Sequence, residues 1–266
     1  MFLQRALITF TLGPLALFLV YLGGWFYFLP VVAILVLATI EYVQLTRKMG
    51  WHTHSGVLVP IVLGQYVVAQ FPEWGLDEPV LLAGIMIVTV YGLWLYEQRT
   101  SQTTLIDWLA MVGGVIILGW LGSHFFRLRL LPEMAWQWTM LAMLTTWISD
   151  SGGYVFGKRL GKHKLSPRLS PNKTVEGYVG GLITGVVFAA LISSWLGLPL
   201  VAGTILGLLI SLLGTAGDLS ISLLKREAGV KDSGNLLPGH GGALDRTDSL
   251  LWAVSLAYYF VTLFVV

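Results

Sequence analysis

Residues 222–248 read SLLKREAGVKDSGNLLPGHGGALDRTD, a polar island between apolar runs placed at 199–220 and 247–265. Four cations (Lys225, Arg226, Lys231, Arg246) and four acids (Glu227, Asp232, Asp245, Asp248) crowd into it. The surrounding chain has 266 residues, 56% hydrophobic and only 11% charged, where soluble domains carry about a quarter charged residues. Apolar runs of about 17 or more residues recur along it, more than one soluble core could bury, so they need a bilayer as solvent. The runs are continuously apolar instead of alternating, which argues against a β-barrel. The expected fold class is all-α: a polytopic integral membrane protein with about nine transmembrane helices.

Outward from the island, spans fall at 6–22, 25–44, 56–71, 79–96, 104–121, 136–154, 175–195, 199–220 and 247–265. Only Leu22, Gly23 and Gly24 separate the first two, which reads as a tight helical hairpin. The cations set the orientation. Of the 16 Lys and Arg residues, all but Arg127 and Arg129 fall on one side if the N-terminus, with Arg5, is cytoplasmic. The first run lacks a small-residue cleavage site and reads as a retained span, not a signal peptide. The absence of cysteine excludes disulfides, thiolate metal sites and cysteine nucleophiles. Residues 1–135, spans 1–5, read as a membrane scaffold. Residues 136–266, spans 6–9, carry the polar chemistry in cytoplasmic loops 155–174 and 222–246.

The first of these loops grows out of Ser149-Asp150-Ser151-Gly152-Gly153-Tyr154 and ends at Ser170-Pro171-Asn172-Lys173-Thr174-Val175-Glu176-Gly177. Hydroxyls, an amide and a lysine at a helix start make an anion site, because first-turn N–H groups are unpaired and the dipole favours negative charge. Thr174 or Asn172 serves equally as a plain helix cap, and Ser170 as a turn residue. The five cations from Lys158 to Arg168 fit phosphate binding and headgroup attraction alike. Gly152 to Lys158 fits most of a Walker A motif, but Arg159 stands where its hydroxyl belongs, and a membrane helix, not a strand, precedes it.

In the second loop the acids matter most. Asp218, Ser222 and Lys225 fall at i, i+4 and i+7 on one helix face, and Asp245 and Asp248 at i and i+3 on another. Asp150 joins them from span 6. Ionisable groups at membrane depth are costly and by default mark function, although Asp245 could pair with Lys225 or Arg246, and Asp245 or Asp248 could cap a helix. Carboxylates without thiols suit a hard cation such as Mg²⁺, which takes one or two carboxylates plus substrate phosphates. Acids for metal beside lysines for phosphate make a phosphoryl- or nucleotidyl-transfer site. The glycines around His240 allow close backbone approach to phosphate, and His240 itself reads as ordering that loop. His52 and His54 lack acidic partners at ligand spacing and read as structural.

The pattern from Ser222 through Lys225, Arg226, Lys231, Asp232, Pro238–Gly242, Asp245 and Arg246 to Asp248 resembles the C-terminal signature of the phosphatidate cytidylyltransferases. Gly217-Asp218, Asp150-Ser151-x-x-Tyr154 and Ser170–Gly177 match as well; Val175 and Gly153 depart from the pattern at packing positions. The resemblance covers spans 6–9. It implies transfer of a cytidylyl group from CTP to phosphatidate, giving CDP-diacylglycerol and pyrophosphate, at the cytoplasmic side of the cell membrane. It implies Mg²⁺, with room for a second cation, held by Asp218 and Asp245 with Asp248 and Asp150. Lys173, Lys225, Ser170 and Asn172 would hold triphosphate or lipid phosphate, and Arg226, Lys231 and Arg246 would contact the headgroup. Thr174, Ser222 and His240 would join the substrate contacts, with Asp218, Asp245, Lys225 and Lys173 as the catalytic set. Expected partners are CTP, phosphatidate and membrane lipids, with a homodimer allowed and nucleic acid not expected. Two rival readings remain: another CTP- or lipid-phosphate-using enzyme such as a polyprenol kinase, and an ion-coupled transporter.

Overall fold

The computed structural model describes residues 2–234 and 241–265, with residues 2–10 as backbone only. Helices dominate: α1 (Phe2–Leu22), α2 (Gly24–Lys48), α3 (Ser55–Gln70), α4 (Asp77–Glu97), α5 (Thr104–Gly114), α6 (Leu121–Arg129), α7 (Ala135–Leu160), α8 (Val175–Leu196), α9 (Leu200–Glu227) and α10 (Leu244–Phe264). A π-helical turn, Val115–Trp120, joins α5 to α6 in one continuous rod. All nine expected spans lie on helical runs among the described residues. Six of those runs are long and apolar enough to cross a membrane: α2, α4, the α5–α6 rod, α8, α9 and α10. This is an integral helical membrane protein, and among the described residues its one sheet is a small hairpin. Apolar helices Thr11–Leu22 and Ser55–Gln70 are shorter, and α7 carries Asp150, Lys158 and Arg159 in its second half.

Packing divides the chain into two compact units, Met1–Arg127 with Leu224–Thr247, and Leu128–Leu223 with Asp248–Val266. The boundary expected at residue 135 separates charge-poor from charge-rich sequence, whereas these units follow contacts. Helices α9 and α10 each contribute residues to both.

In the first unit, α3 packs on α2, α4 and the π turn. Leu35, Leu45, Leu58, Tyr66, Met111, Leu118 and Phe126 are fully buried there. Tyrosine hydroxyls stitch the helices together: Tyr27 donates to the Phe125 carbonyl, Tyr42 to Ala110, and Tyr66 to Leu118 in the π turn. The fifth span ends later than the sequence pattern indicates, at Arg129 instead of 121. Phe125 and Phe126 are buried, and the Phe126 ring packs against Tyr27, Phe28 and Tyr66. Arg127 is neutralised by Asp77 at 2.9 Å.

In the second unit, α7 and α8 lie unusually close. A Cβ on Gly177 would come 2.7 Å from the Gly153 carbonyl, and one on Gly181 would come 2.7 Å from that of Ser149. Small residues at four-residue intervals on both helices allow this backbone approach, the usual membrane substitute for a hydrophobic drive. Between the helices runs an antiparallel hairpin, β1 (Lys164–Ser166) and β2 (Ser170–Thr174), pairing Lys164 with Thr174 and Ser166 with Ser170. The all-α expectation misses it, because Pro167 and the cation run read as loop. Gly152–Lys158 lies inside α7, so the partial Walker A pattern forms no phosphate loop.

Candidate active site

The β hairpin brings the first polar segment to α9. Thr174 ends β2 and caps α8, its hydroxyl accepting from the Gly177 N–H at 3.1 Å. Glu176 in the first turn of α8 accepts from the backbone N–H groups of Lys162 and His163 and bonds His163 Nδ1 at 2.6 Å, which fixes the entrance to the hairpin. Lys173, held next to the cap, makes an ion pair with Asp218 of α9. Both side chains remain about a quarter exposed, 27% and 26%. Ser222, one turn along, donates to Asp218 Oδ1 at 3.3 Å, as the i, i+4 spacing requires. A Cβ on Gly217 would meet the Asp248 carbonyl at 3.0 Å and the Trp252 ring at 2.8 Å. Gly217 therefore lets α9 approach α10 closely at Asp248, immediately beside Asp218.

Asp245, in the first unit, is quite different. Its Oδ1 accepts from Lys225 Nζ at 2.6 Å. Its Oδ2 accepts from the Ser233 backbone N–H at 2.8 Å, the Ser233 hydroxyl at 2.9 Å and the Gly242 N–H at 3.0 Å. The Lys225 and Asp245 side chains are only 10% and 6% exposed. The structural pairing that the sequence allows, Asp245 with Lys225, is thus present.

Glu41 of α2 completes this cluster, and the sequence reading misses it. It is buried, and accepts from the Ala243 N–H at 2.9 Å, the Leu244 N–H at 2.9 Å and the Ser233 hydroxyl at 2.7 Å. Those two N–H groups belong to the α10 N-terminus, where helices leave donors unpaired. Orphaning a buried donor costs about 1–3 kcal/mol. A signal is there to be read: Glu41 is the one acid in the apolar run 25–44, and intramembrane acids mark function by default. Its closeness to Arg47 and Lys48 disguises it as an interfacial residue.

The remaining expected contacts are distributed more loosely. Ser170 and Asn172 lie on β2, Asn172 exposed. Arg226 closes the end of α9 by donating to the Val230 carbonyl at 3.0 Å, while Lys231 and Arg246 are exposed. Asp150 lies on α7, and Asp248 in α10 accepts from the adjacent Ser249 N–H at 2.7 Å. His240 lies outside the described residues. His52 does have an acidic neighbour. Asp107, 55 residues away, accepts from the His52 N–H at 2.9 Å and lies 3.7 Å from its Nδ1. Sequence spacing could not reveal that pair. His54 is structural, capping α3 through Nδ1.

Among the described residues no three His, Asp or Glu side chains converge as a ready metal cage. The donor chemistry at Asp218 nevertheless fits a hard cation: a partly exposed carboxylate, a neighbouring hydroxyl, and an ammonium already drawn to it. Asp245 fits less well, since its Oδ2 is saturated and its Oδ1 is shared with Lys225.

Comparison with known proteins gives the fold and site a family. A family model described as the cytidylyltransferase family matches residues 3–264. A phosphatidate cytidylyltransferase of Bacillus subtilis is 32% identical over 264 residues, 98% of either chain. One from Synechocystis is 34% identical over 278 aligned positions, covering 94% of this chain and 92% of that one. One from Staphylococcus aureus is 46% identical over 122 residues, 45% of this chain and 47% of its own. The chain belongs to the cytidylyltransferase family.

Proposed function

We propose that this protein transfers a cytidylyl group from CTP to phosphatidate, giving CDP-diacylglycerol and pyrophosphate, in keeping with the phosphatidate cytidylyltransferase names of its full-length relatives. The observation that carries the proposal is the Lys173–Asp218 pair. It joins the Ser170–Gly177 segment to Gly217-Asp218, both of which resemble the family's pattern, in a chain whose family match runs nearly end to end.

The lipid phosphate is already ionised, so it needs no general base. One of its oxygens attacks the α-phosphorus of CTP, the new P–O bond forms as the α–β bond breaks, and the electron pair leaves on pyrophosphate. Lys173 sits at the α8 N-terminus, where an ammonium and a helix dipole together attract phosphate. Ser170 and Asn172 on the adjoining strand supply hydroxyl and amide contacts. Lys225, two turns beyond Asp218 on the same face of α9, offers a second ammonium whose position Asp245 fixes. Preorganised cations of this kind stabilise charge on the departing pyrophosphate. Asp218, with Asp248 and Asp150, would hold Mg²⁺, and bound metal would neutralise charge on the reacting phosphates. The reacting face is cytoplasmic on the cation distribution, where CTP is found.

Purified protein incubated with labelled CTP and either phosphatidate or a polyprenol distinguishes the readings. Label in CDP-diacylglycerol, with pyrophosphate released, is expected. Phosphorylated polyprenol with CDP released would instead make the protein a lipid kinase, and no turnover of any lipid would leave the transporter.

A further inference from the structure

Glu41 lies outside every segment that resembles the family signature, in a helix of the region read as scaffold. The structure assigns it a positioning role: we propose that Glu41 fixes Asp245, and through it Lys225, for the cytidylyl transfer. The inference rests on that reaction.

The geometry is that of a clamp. Glu41 bonds the chain on both sides of residues 235–240, Ser233 before them and Ala243 and Leu244 after. Both carboxylate oxygens are engaged, Oε1 by the Ala243 N–H and Oε2 by the Leu244 N–H and the Ser233 hydroxyl. A Cβ at Gly242 would collide with this carboxylate and with the Ser233 hydroxyl, so only glycine permits the close approach. Ser233 is the coupling element. Its hydroxyl lies 2.7 Å from Glu41 Oε2 and 2.9 Å from Asp245 Oδ2. A hydroxyl has one proton, so the two carboxylates compete for it, and a change at one alters the bonding of the other. Asp245 in turn holds Lys225 Nζ at 2.6 Å. The path from α2 to the ammonium is therefore Glu41, Ser233, Asp245, Lys225, with burial along its length.

A glutamine at this position would turn an NH₂ group toward an N–H donor on whichever side it faced, because both sides need an acceptor. The full-length protein carrying Glu41→Gln is assayed for CDP-diacylglycerol formation well below its melting temperature, and its amide exchange is followed by mass spectrometry. Exchange in the peptide 241–247 is expected to quicken by about tenfold, with α8 peptides unchanged. kcat should fall by roughly tenfold or more while KM for CTP stays within about threefold, since displacement by a fraction of an ångström damages the reacting geometry more than binding. Adding Ser233→Ala should cost less than it does in the parent, because the two act in series. If Glu41→Gln does not fold, Glu41→Asp keeps the carboxylate and should give an intermediate kcat. A parent-like kcat in whichever variant folds, with only a lower melting temperature, would make Glu41 structural and overturn the inference. Absence of CDP-diacylglycerol from the unaltered protein would instead overturn the reaction, and the inference with it. Unchanged exchange at 241–247 would overturn the clamp regardless of activity.

Discussion

Asp218 and Asp245, which the sequence offers as equals, live in opposite surroundings. Asp218 is a quarter exposed and bonded by one ammonium and one distant hydroxyl. Asp245 is nearly buried and bonded by an ammonium, a hydroxyl and two backbone N–H groups. A carboxylate with spare lone pairs can exchange a lysine for substrate or cation during a reaction cycle. A saturated one cannot do so without dismantling the loop it holds. The difference separates an acid suited to chemistry from one suited to architecture, although one flanks and the other lies within the same polar island of the sequence.

The largest effect that could break this contrast is expected at Asp245. Asp245→Asn leaves Lys225 charged and buried without its partner, and removing one member of such a pair costs about 3–5 kcal/mol. Thermal melts in detergent should show that loss, and Lys225→Met added to it should recover much of the stability. If the single variant melts like the parent, the saturated network holds nothing together. Lys173→Ala sharpens the other side. Its pair with Asp218 is partly solvated, so melting should move little, while turnover should drop by about ten- to a hundredfold through loss of a phosphate contact. Equal damage to rate and to stability would erase the distinction. Thr174→Ala should cost about 1 kcal/mol of stability by removing the α8 cap, with Thr174→Ser restoring it. Arg159→Ala, on the exposed end of α7, should change stability by no more than about 0.5 kcal/mol. Any effect it has on rate should fade as salt screens the surface.

The helical runs were legible because a continuous apolar pattern of that length needs a bilayer as its solvent. Ser222 and Asp218 were paired correctly from spacing alone, since one turn of helix fixes that neighbour. Contacts across long separations were not legible in the same way. Lys173 with Asp218 could only be supposed from the kind of chemistry the two segments share. Glu41 with Ala243 and Leu244 spans about two hundred residues, and nothing in local periodicity encodes it. The hairpin Lys164–Thr174 escaped for a different reason, as three- and five-residue strands with a proline show too little alternation to stand apart from loop.

The division of labour stands or falls on Asp218. Asn at this position keeps the shape and the bond to Ser222 but removes the charge that binds an ammonium or a hard cation. The decisive measurement is the initial rate of CDP-diacylglycerol formation by Asp218→Asn over a range of Mg²⁺ concentrations, on protein shown to melt with the parent. The rate should fall by at least about a hundredfold, the scale of losing one key electrostatic element. A rate within about threefold of the parent at low Mg²⁺ would contradict it, and would return the reaction to some other part of the molecule.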